Sequence, residues 1–183
     1  MSLPNRPLLR PLIRPLICPL PPETRIARLS QGADFADCYE VDHPHPTQTA
    51  CQSAWTLMRS TPAWVDGLMH LRNRVVQWVE LKNLGGLSAL PPDPVPAHCQ
   101  MGQRLGIFSV HSVSADEIVL TDSDRHLDVW VSLSAHRPHG HPPRLRVATV
   151  VKIHNRLGRV YMAVVAPVHR RIVPAMLRRL AHA

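Results

Sequence analysis

The chain lacks the short motifs by which many enzyme families are recognised. It contains no GxGxxG, P-loop, GxSxG or HExxH sequence, and these are motifs that position phosphates, a serine nucleophile or a zinc ion. Aromatic residues are few, with two phenylalanines, two tyrosines and four tryptophans. The net charge is +8, but the arginines are scattered and few aromatic rings are present for base stacking. No motif therefore supports a nucleotide-binding or hydrolase function, and we expect no nucleic-acid partner.

Cysteine and histidine provide no recognisable metal site. The four cysteines Cys18, Cys38, Cys51 and Cys99 show no CxxC or other ligand spacing. His136, His139 and His141 lie in the loop at 136–143, whose prolines and glycine provide no rigid scaffold for a metal. We expect no metal, no cofactor, and thiols that pack in the core of a cytoplasmic protein in a reducing compartment.

The N-terminal segment repeats RPLL, RPLI, RPLI and CPLP from Arg6 to Pro21. A proline at every fourth residue excludes a helix and favours extended polyproline-II backbone. Arginine and proline also interrupt every apolar stretch that would serve as a secretory signal. We expect residues 1–31 to be a disordered extension whose first 25 residues are dispensable for folding. As an alternative, this basic segment makes peripheral contact with a membrane or a protein.

Residues 32–183 suit a single domain. A strand is predicted first, and Thr61-Pro62 then predicts a helix start, with threonine as the N-cap and proline at the first helical position. From Gln103 onward the apolar residues alternate with polar ones, which is typical of antiparallel strands. The predicted elements are a strand at 33–41, helices at 47–58 and 61–82, and strands at 105–113, 117–121, 125–135 and 144–155.

The last stretch, 155–183, predicts one long helix. Its apolar stripe recurs at steps of three and four and comprises Leu157, Val160, Tyr161, Val164, Val168, Ile172, Ala175, Met176 and Leu180. Pro167 and Pro174 are expected to bend this helix without ending it. The longest apolar run, 160–168, is about half the ~20 residues that span a bilayer. The sequence therefore predicts an α+β fold of the helix-grip type, with a curved antiparallel sheet of at least five strands around the long helix.

Three stretches, at 61–82, 102–133 and 149–173, resemble a bacterial family of domains of unknown function, number 2867. The run HNRLGRVYM at 154–162 is the most specific of these features. The resemblance implies membership of the START/polyketide-cyclase-like (SRPBCC) superfamily of helix-grip folds. It carries over no catalytic residue.

Two clusters are candidates for chemistry. His126 and Asp128 lie two apart at a strand entrance, where a carboxylate beside an imidazole orients a general base; the alternative is an ion-pair ladder that sets strand register. His154, Asn155 and Arg156 lie where the last strand becomes the last helix. They are interpreted either as a helix cap centred on Asn155 or as contacts to a ligand at the helix start.

These observations predict a binding domain rather than an enzyme. Its ligand would be an apolar small molecule, lipid or polyketide-like, in a cavity between sheet and helix. The predicted contacts are Trp64, Arg125, His154, Asn155, Arg156 and Tyr161. The alternative is an interaction module with a filled core that contacts a protein or an anionic membrane, and third comes a cyclase- or hydrolase-like enzyme that uses His126 and Asp128. The oligomeric state is not predicted.

Overall fold

The computed structural model describes residues 14–76, 95–137 and 139–180, with the side chains of residues 70–76 excepted. The predicted end of the second helix near Lys82 lies outside the described residues, as do residues 1–13. The strands are β1 (Leu16–Ile17), β2 (Phe35–Asp42), β3 (Arg104–Leu105), β4 (Phe108–Val113), β5 (Glu117–Ser123), β6 (Leu127–His136) and β7 (Arg144–Ile153). The helices are α1 (Arg25–Leu29), α2 (Ala50–Arg59), α3 (Ala63–Val76) and α4 (Arg156–Leu180).

The described strands form one open antiparallel sheet in the order β1-β2-β7-β6-β5-β4-β3. The α+β class, the antiparallel sheet and the helices after the first long strand are confirmed. The ten-residue strands β6 and β7 pair along their whole length at the centre of the sheet. One face of the sheet packs against α2 and α4, and the other face packs against α1.

The strand predicted at 105–113 is interrupted. Gly106 has a φ of 61°, a backbone conformation that residues with a Cβ rarely adopt. The chain therefore turns there, and Leu105 pairs with Phe108 as β3 and β4 form a tight hairpin.

Helix α2 begins three residues later than predicted, because a capping box sets its start. The Thr49 hydroxyl accepts a hydrogen bond from the Gln52 amide, and the Gln52 side chain accepts one from the Thr49 amide. These bonds satisfy two amides that have no partner within the helix. At the other end, the Thr61 hydroxyl donates to the Met58 carbonyl at 2.6 Å, which links the end of α2 to the start of α3.

The N-terminal segment is part of the fold from residue 16 onward. Leu16 and Ile17 pair with β2, and α1 buries Ile26 against Cys38 and neighbouring residues of the sheet. The proline repeat predicts extended backbone here, but it contains no signal for pairing with a strand edge. Residues 16–29 thus lie against the sheet, where a disordered extension was expected, and the division of the chain at residue 31 stays a prediction.

Helix α4 runs through Pro167 and Pro174, as predicted. The predicted apolar stripe is wrong near the start of the helix, where another face points to the core. Val160 is 65% and Val164 68% exposed, whereas Met162 is buried. The residues at 160–166 are apolar all round the helix, so periodicity alone does not choose the inward face. α4 also satisfies a length and composition criterion for a membrane span, with a mean hydropathy of 1.2 and 22% of its most apolar window buried. As a single helix, this is weak evidence for a span.

Cys51 in α2 and Cys99 form a disulfide with a Cα–Cα distance of 5.6 Å. The expectation that all four thiols only pack in the core is thus wrong for these two. Disulfides are typical of oxidising compartments, so the expected reducing, cytoplasmic setting loses the support that cysteine usage gave it. The sequence offered no spacing signal, because 48 residues separate the two cysteines.

Candidate functional site

Asn155 joins the end of the sheet to the start of α4. Its side-chain oxygen accepts a hydrogen bond from the Gly158 amide at 3.1 Å, which is the bond that an N-cap makes. Its side-chain nitrogen donates to the Arg125 carbonyl at 3.0 Å. The side chain therefore caps α4 and ties it to the loop before β6.

His126 is buried beside this cap, with 7% of its surface exposed. The Arg125 guanidinium donates from Nε to His126 Nε2 at 2.8 Å. Because Nε2 accepts, the proton of the neutral imidazole lies on Nδ1, which is 3.1 Å from the Asn155 oxygen. Both ring nitrogens are engaged, so His126 has no nitrogen free to act as a general base in this arrangement.

Asp128 does not pair with His126. Its carboxylate lies 3.1 Å from Nε2 of His154, and the neighbouring Lys152 is opposite Asp128 in the β6–β7 register. The Lys152 ammonium in turn lies 5.6 Å from the centre of the Trp130 ring. Such partly exposed cross-strand pairs contribute little energy each but favour one register. The geometry thus favours the ladder interpretation of this cluster.

A cavity of about 140 Å³, partly open to solvent, lies between the sheet and α4. Most of its wall is apolar, with a few polar groups at the edge. Its lining residues are Phe35, Met69, Ile107, Phe108, Asp122, Asp124, Leu127, Val129, Val131, Thr149, Val151, Tyr161, Met162, Val165 and His169.

The residues predicted to bind a ligand are not all at this cavity. Tyr161 lines it, whereas the Trp64 side chain is 47% exposed and is absent from the wall. Arg125, His154, Asn155 and Arg156 belong to the junction between β7 and α4, next to the end of the cavity where Asp124 and Leu127 lie. Of the six predicted residues, Tyr161 alone is part of the cavity wall as described, Trp64 is exposed, and the other four lie at the junction, where Asn155 caps α4.

The polar group that sequence reasoning missed is on the sheet wall below α4. Nε2 of His169 lies 3.0 Å from the Thr149 hydroxyl and 3.6 Å from the Asp37 carboxylate. None of the described residues donates a hydrogen bond to either carboxylate oxygen of Asp37, and both oxygens are buried. The available signal was an acidic residue on the inward face of a strand between Phe35 and Tyr39.

This group does not form a proton relay. A relay through an imidazole uses both ring nitrogens, one for each partner, whereas Thr149 and Asp37 both lie at Nε2 of His169. The rings of Phe35 and His169 are nearly perpendicular, with 5.9 Å between their centres. Thr149 and His169 therefore place polar groups at one wall of a mostly apolar cavity.

A second, polar hollow of about 170 Å³ lies beside α1. Both carboxylate oxygens of Glu117 in its wall are hydrogen-bonded within the protein. Glu117 accepts hydrogen bonds from the Arg25 amide, the Ile26 amide and the Ser132 hydroxyl at 2.8, 3.2 and 2.8 Å. It thereby caps α1, whose N-cap residue Thr24 makes no side-chain cap bond. This hollow therefore has a structural role.

No three His, Cys, Asp or Glu side chains lie close enough to hold one metal ion within residues 14–76, 95–137 and 139–180.

Comparison with known proteins identifies one family. A family model described as "Protein of unknown function (DUF2867)" matches residues 29–176. No curated protein matches the chain, and no solved structure matches it. The matched region runs from the end of α1 into the last turns of α4 and includes the junction and the cavity walls. The chain therefore belongs to the family of proteins of unknown function DUF2867.

Proposed function

We propose that this domain binds a small, largely apolar molecule in the cavity between the sheet and α4. The observation that carries the proposal is the composition of the cavity wall, in which apolar side chains such as Phe108, Val129 and Met162 predominate. Small-molecule sites are mostly apolar concavities with a few polar groups that orient the ligand. The resemblance to START-like helix-grip domains supports the same choice, by analogy of fold.

The size of the cavity limits the ligand. A cavity of about 150 Å³ holds one benzene molecule, and pockets for drug-sized ligands enclose about 300–1,000 Å³. With about 140 Å³, the site accommodates a single ring or a short acyl chain. A whole lipid or a polyketide, which the sequence suggested, would extend beyond this volume into solvent.

Polar groups at the wall favour a ligand with one polar end. Thr149 and His169 lie on the side formed by β7 and α4, while Asp122 and Asp124 lie near the ends of β5 and β6. A ligand with a hydroxyl or amide group next to an apolar body would match both parts of the wall. Catalysis by His126 and Asp128 is not part of this proposal, because both ring nitrogens of His126 are engaged.

Two neighbouring valines of α4 provide a matched test. Val165 lines the cavity, and Val164 on the outer side of the same helix is 68% exposed. We expect Val165→Phe to fill the cavity and abolish benzene binding, and Val164→Phe to leave binding unchanged. Ligand-observed NMR with benzene measures this, and circular dichroism verifies the fold of each variant. No binding by the unaltered protein, or equal binding by both variants, would contradict the proposal.

The outer face of α4 supports a second candidate function, contact with an anionic membrane surface. α4 carries six arginines and no acidic residue, and its exposed Val160 and Val164 lie between the arginines at its two ends. Arginine next to apolar side chains is the combination that binds the headgroup region of anionic bilayers. The test is sedimentation with vesicles of phosphatidylserine and phosphatidylcholine. Binding that needs phosphatidylserine and weakens in Val164→Asp would support this function, whereas no sedimentation would exclude it.

A further inference from the structure

We propose that Cys18 and Cys38 are a reversible disulfide site that fastens the N-terminal segment to the sheet. Their sulfur atoms lie 3.1 Å apart, with both thiols free in the structure. This inference is independent of the cavity, because the pair lies on the sheet face that α1 covers.

The backbone already holds the two cysteines opposite each other. Ile17 is paired with Tyr39, so Cys18 follows in register with Cys38, and its amide donates to the Cys38 carbonyl at 3.0 Å. Directly opposite residues of antiparallel strands have Cα atoms about 4.5–5.5 Å apart. Disulfides accept Cα separations of about 4.4–6.8 Å. Bond formation therefore needs small side-chain rotations and no rearrangement of the strands.

The two thiols differ in access. Cys38 is 1% exposed, packed near Ile26 and Ala148, while Cys18 is half-buried. Burial raises the pKa of both thiols above the ordinary range for cysteine. Both are therefore protonated at neutral pH and react slowly. Exchange begins at Cys18, because an external disulfide reaches it more easily.

The oxidant is a small disulfide, such as oxidised glutathione. Cys18 loses its proton to water, and its thiolate attacks one glutathione sulfur, which releases one reduced glutathione and leaves a mixed disulfide on Cys18. Cys38 then loses its proton and attacks the Cys18 sulfur, which releases the second glutathione. In total the two thiols give up two electrons and two protons, and one oxidised glutathione becomes two reduced molecules.

The bond would matter because the segment it holds has few other attachments. β1 contributes only Leu16 and Ile17 to the edge of the sheet, and α1 has five residues. A covalent link at Cys18 would prevent this segment from separating from β2. The Cys51–Cys99 disulfide shows that the fold accommodates a crosslink elsewhere and serves as an internal reference.

The test uses the full chain in buffers of increasing ratio of oxidised to reduced glutathione. Free thiols are blocked with iodoacetamide, and the crosslinked peptides are identified by mass spectrometry. We expect a Cys18–Cys38 peptide to appear as the buffer becomes oxidising and to disappear on return to reduced glutathione. A Cys51→Ser/Cys99→Ser variant, in which Cys18 and Cys38 are the two cysteines left, should show the same pairing. If this variant does not fold, the measurement on the unaltered protein still decides the result.

Limited trypsin digestion measures the fastening. Cleavage after Arg25 and Arg28 should be several-fold slower in oxidised than in reduced protein, and a Cys18→Ser variant should show no such difference. The proposal is overturned if both cysteines remain fully alkylated in the most oxidising buffer, or if Cys18 pairs with another cysteine. Equal cleavage rates in the two redox states would likewise overturn it.

Discussion

At the scale of single residues, Gly158 determines how closely α4 approaches the sheet. A Cβ at this position would lie 2.5 Å from the His126 carbonyl oxygen and 2.9 Å from a methyl group of Ile153. That carbonyl also accepts a hydrogen bond from the His154 amide at 2.8 Å, which resists its displacement. Since this contact admits only glycine, it sets the inward face of the first turns of α4.

Gly158→Ala should therefore destabilise the protein. We expect its free energy of unfolding to fall by about 1–3 kcal/mol, as in other overpacked positions, although alanine favours a helix over glycine by about 0.5–1 kcal/mol. Gly67→Ala in α3 is the control, because no heavy atom lies within 4 Å of the added methyl group. That variant should gain about 0.5–1 kcal/mol. Urea unfolding measures both, and changes of the same sign would contradict the argument.

At the scale of secondary-structure elements, α1 is stabilised by its contacts with the sheet. A helix of five residues is unstable alone, because nucleation costs more than so few hydrogen bonds return. Glu117 of β5 caps its first amides, and Ile26 inserts into the small core with Val119 and Val150. The segment before β2 is thus held by tertiary contacts that the proline repeat does not predict.

Ile26→Ala should test the packing of α1. Ile26 is 1% exposed, and truncating a buried isoleucine costs about 2–5 kcal/mol. Ile17→Ala in β1 is the matched control, because Ile17 is 80% exposed and surface substitutions usually change stability by less than about 0.5 kcal/mol. Thermal unfolding compares the two variants. A similar melting temperature for both would show that the N-terminal segment is dispensable for stability.

At the scale of the whole molecule, the Cys51–Cys99 disulfide connects α2 to the chain that leads into β3. The two cysteines are 48 residues apart in the sequence. A crosslink that closes a loop of this length lowers the entropy of the unfolded chain and stabilises the fold by about 4 kcal/mol. It therefore acts on the domain as a unit rather than on one element.

Reduction of this bond should lower the melting temperature by about 10 °C, since about 1 kcal/mol corresponds to roughly 2–4 °C at this size. The measurement is thermal unfolding with and without a phosphine reductant in a Cys18→Ser/Cys38→Ser background, where only this disulfide remains. A Cys51→Ser/Cys99→Ser variant serves as the control, because it should not respond to reductant. The same melting temperature with and without reductant in the first background would contradict the expected stabilisation.

By itself the sequence determined the type and order of the main elements after residue 32. Alternation with a period of two predicted β5, β6 and β7 to within a few residues, and spacing of three and four predicted α4 through both prolines. It also indicated the Asn155 cap as one of two interpretations of that cluster. These features are local, because backbone periodicity and capping depend on residues within a few positions of each other.

Only the tertiary structure decided which distant side chains meet. Three such pairs are far apart in the sequence, so no local pattern encodes their contact. They are Cys51 with Cys99, Cys18 with Cys38, and Asp37 with His169. Tertiary contacts also decide that Leu16 and Ile17 pair with β2, and they decide which face of α4 points to the core. In each case the sequence allows several partners or faces, and close packing of the whole chain selects one.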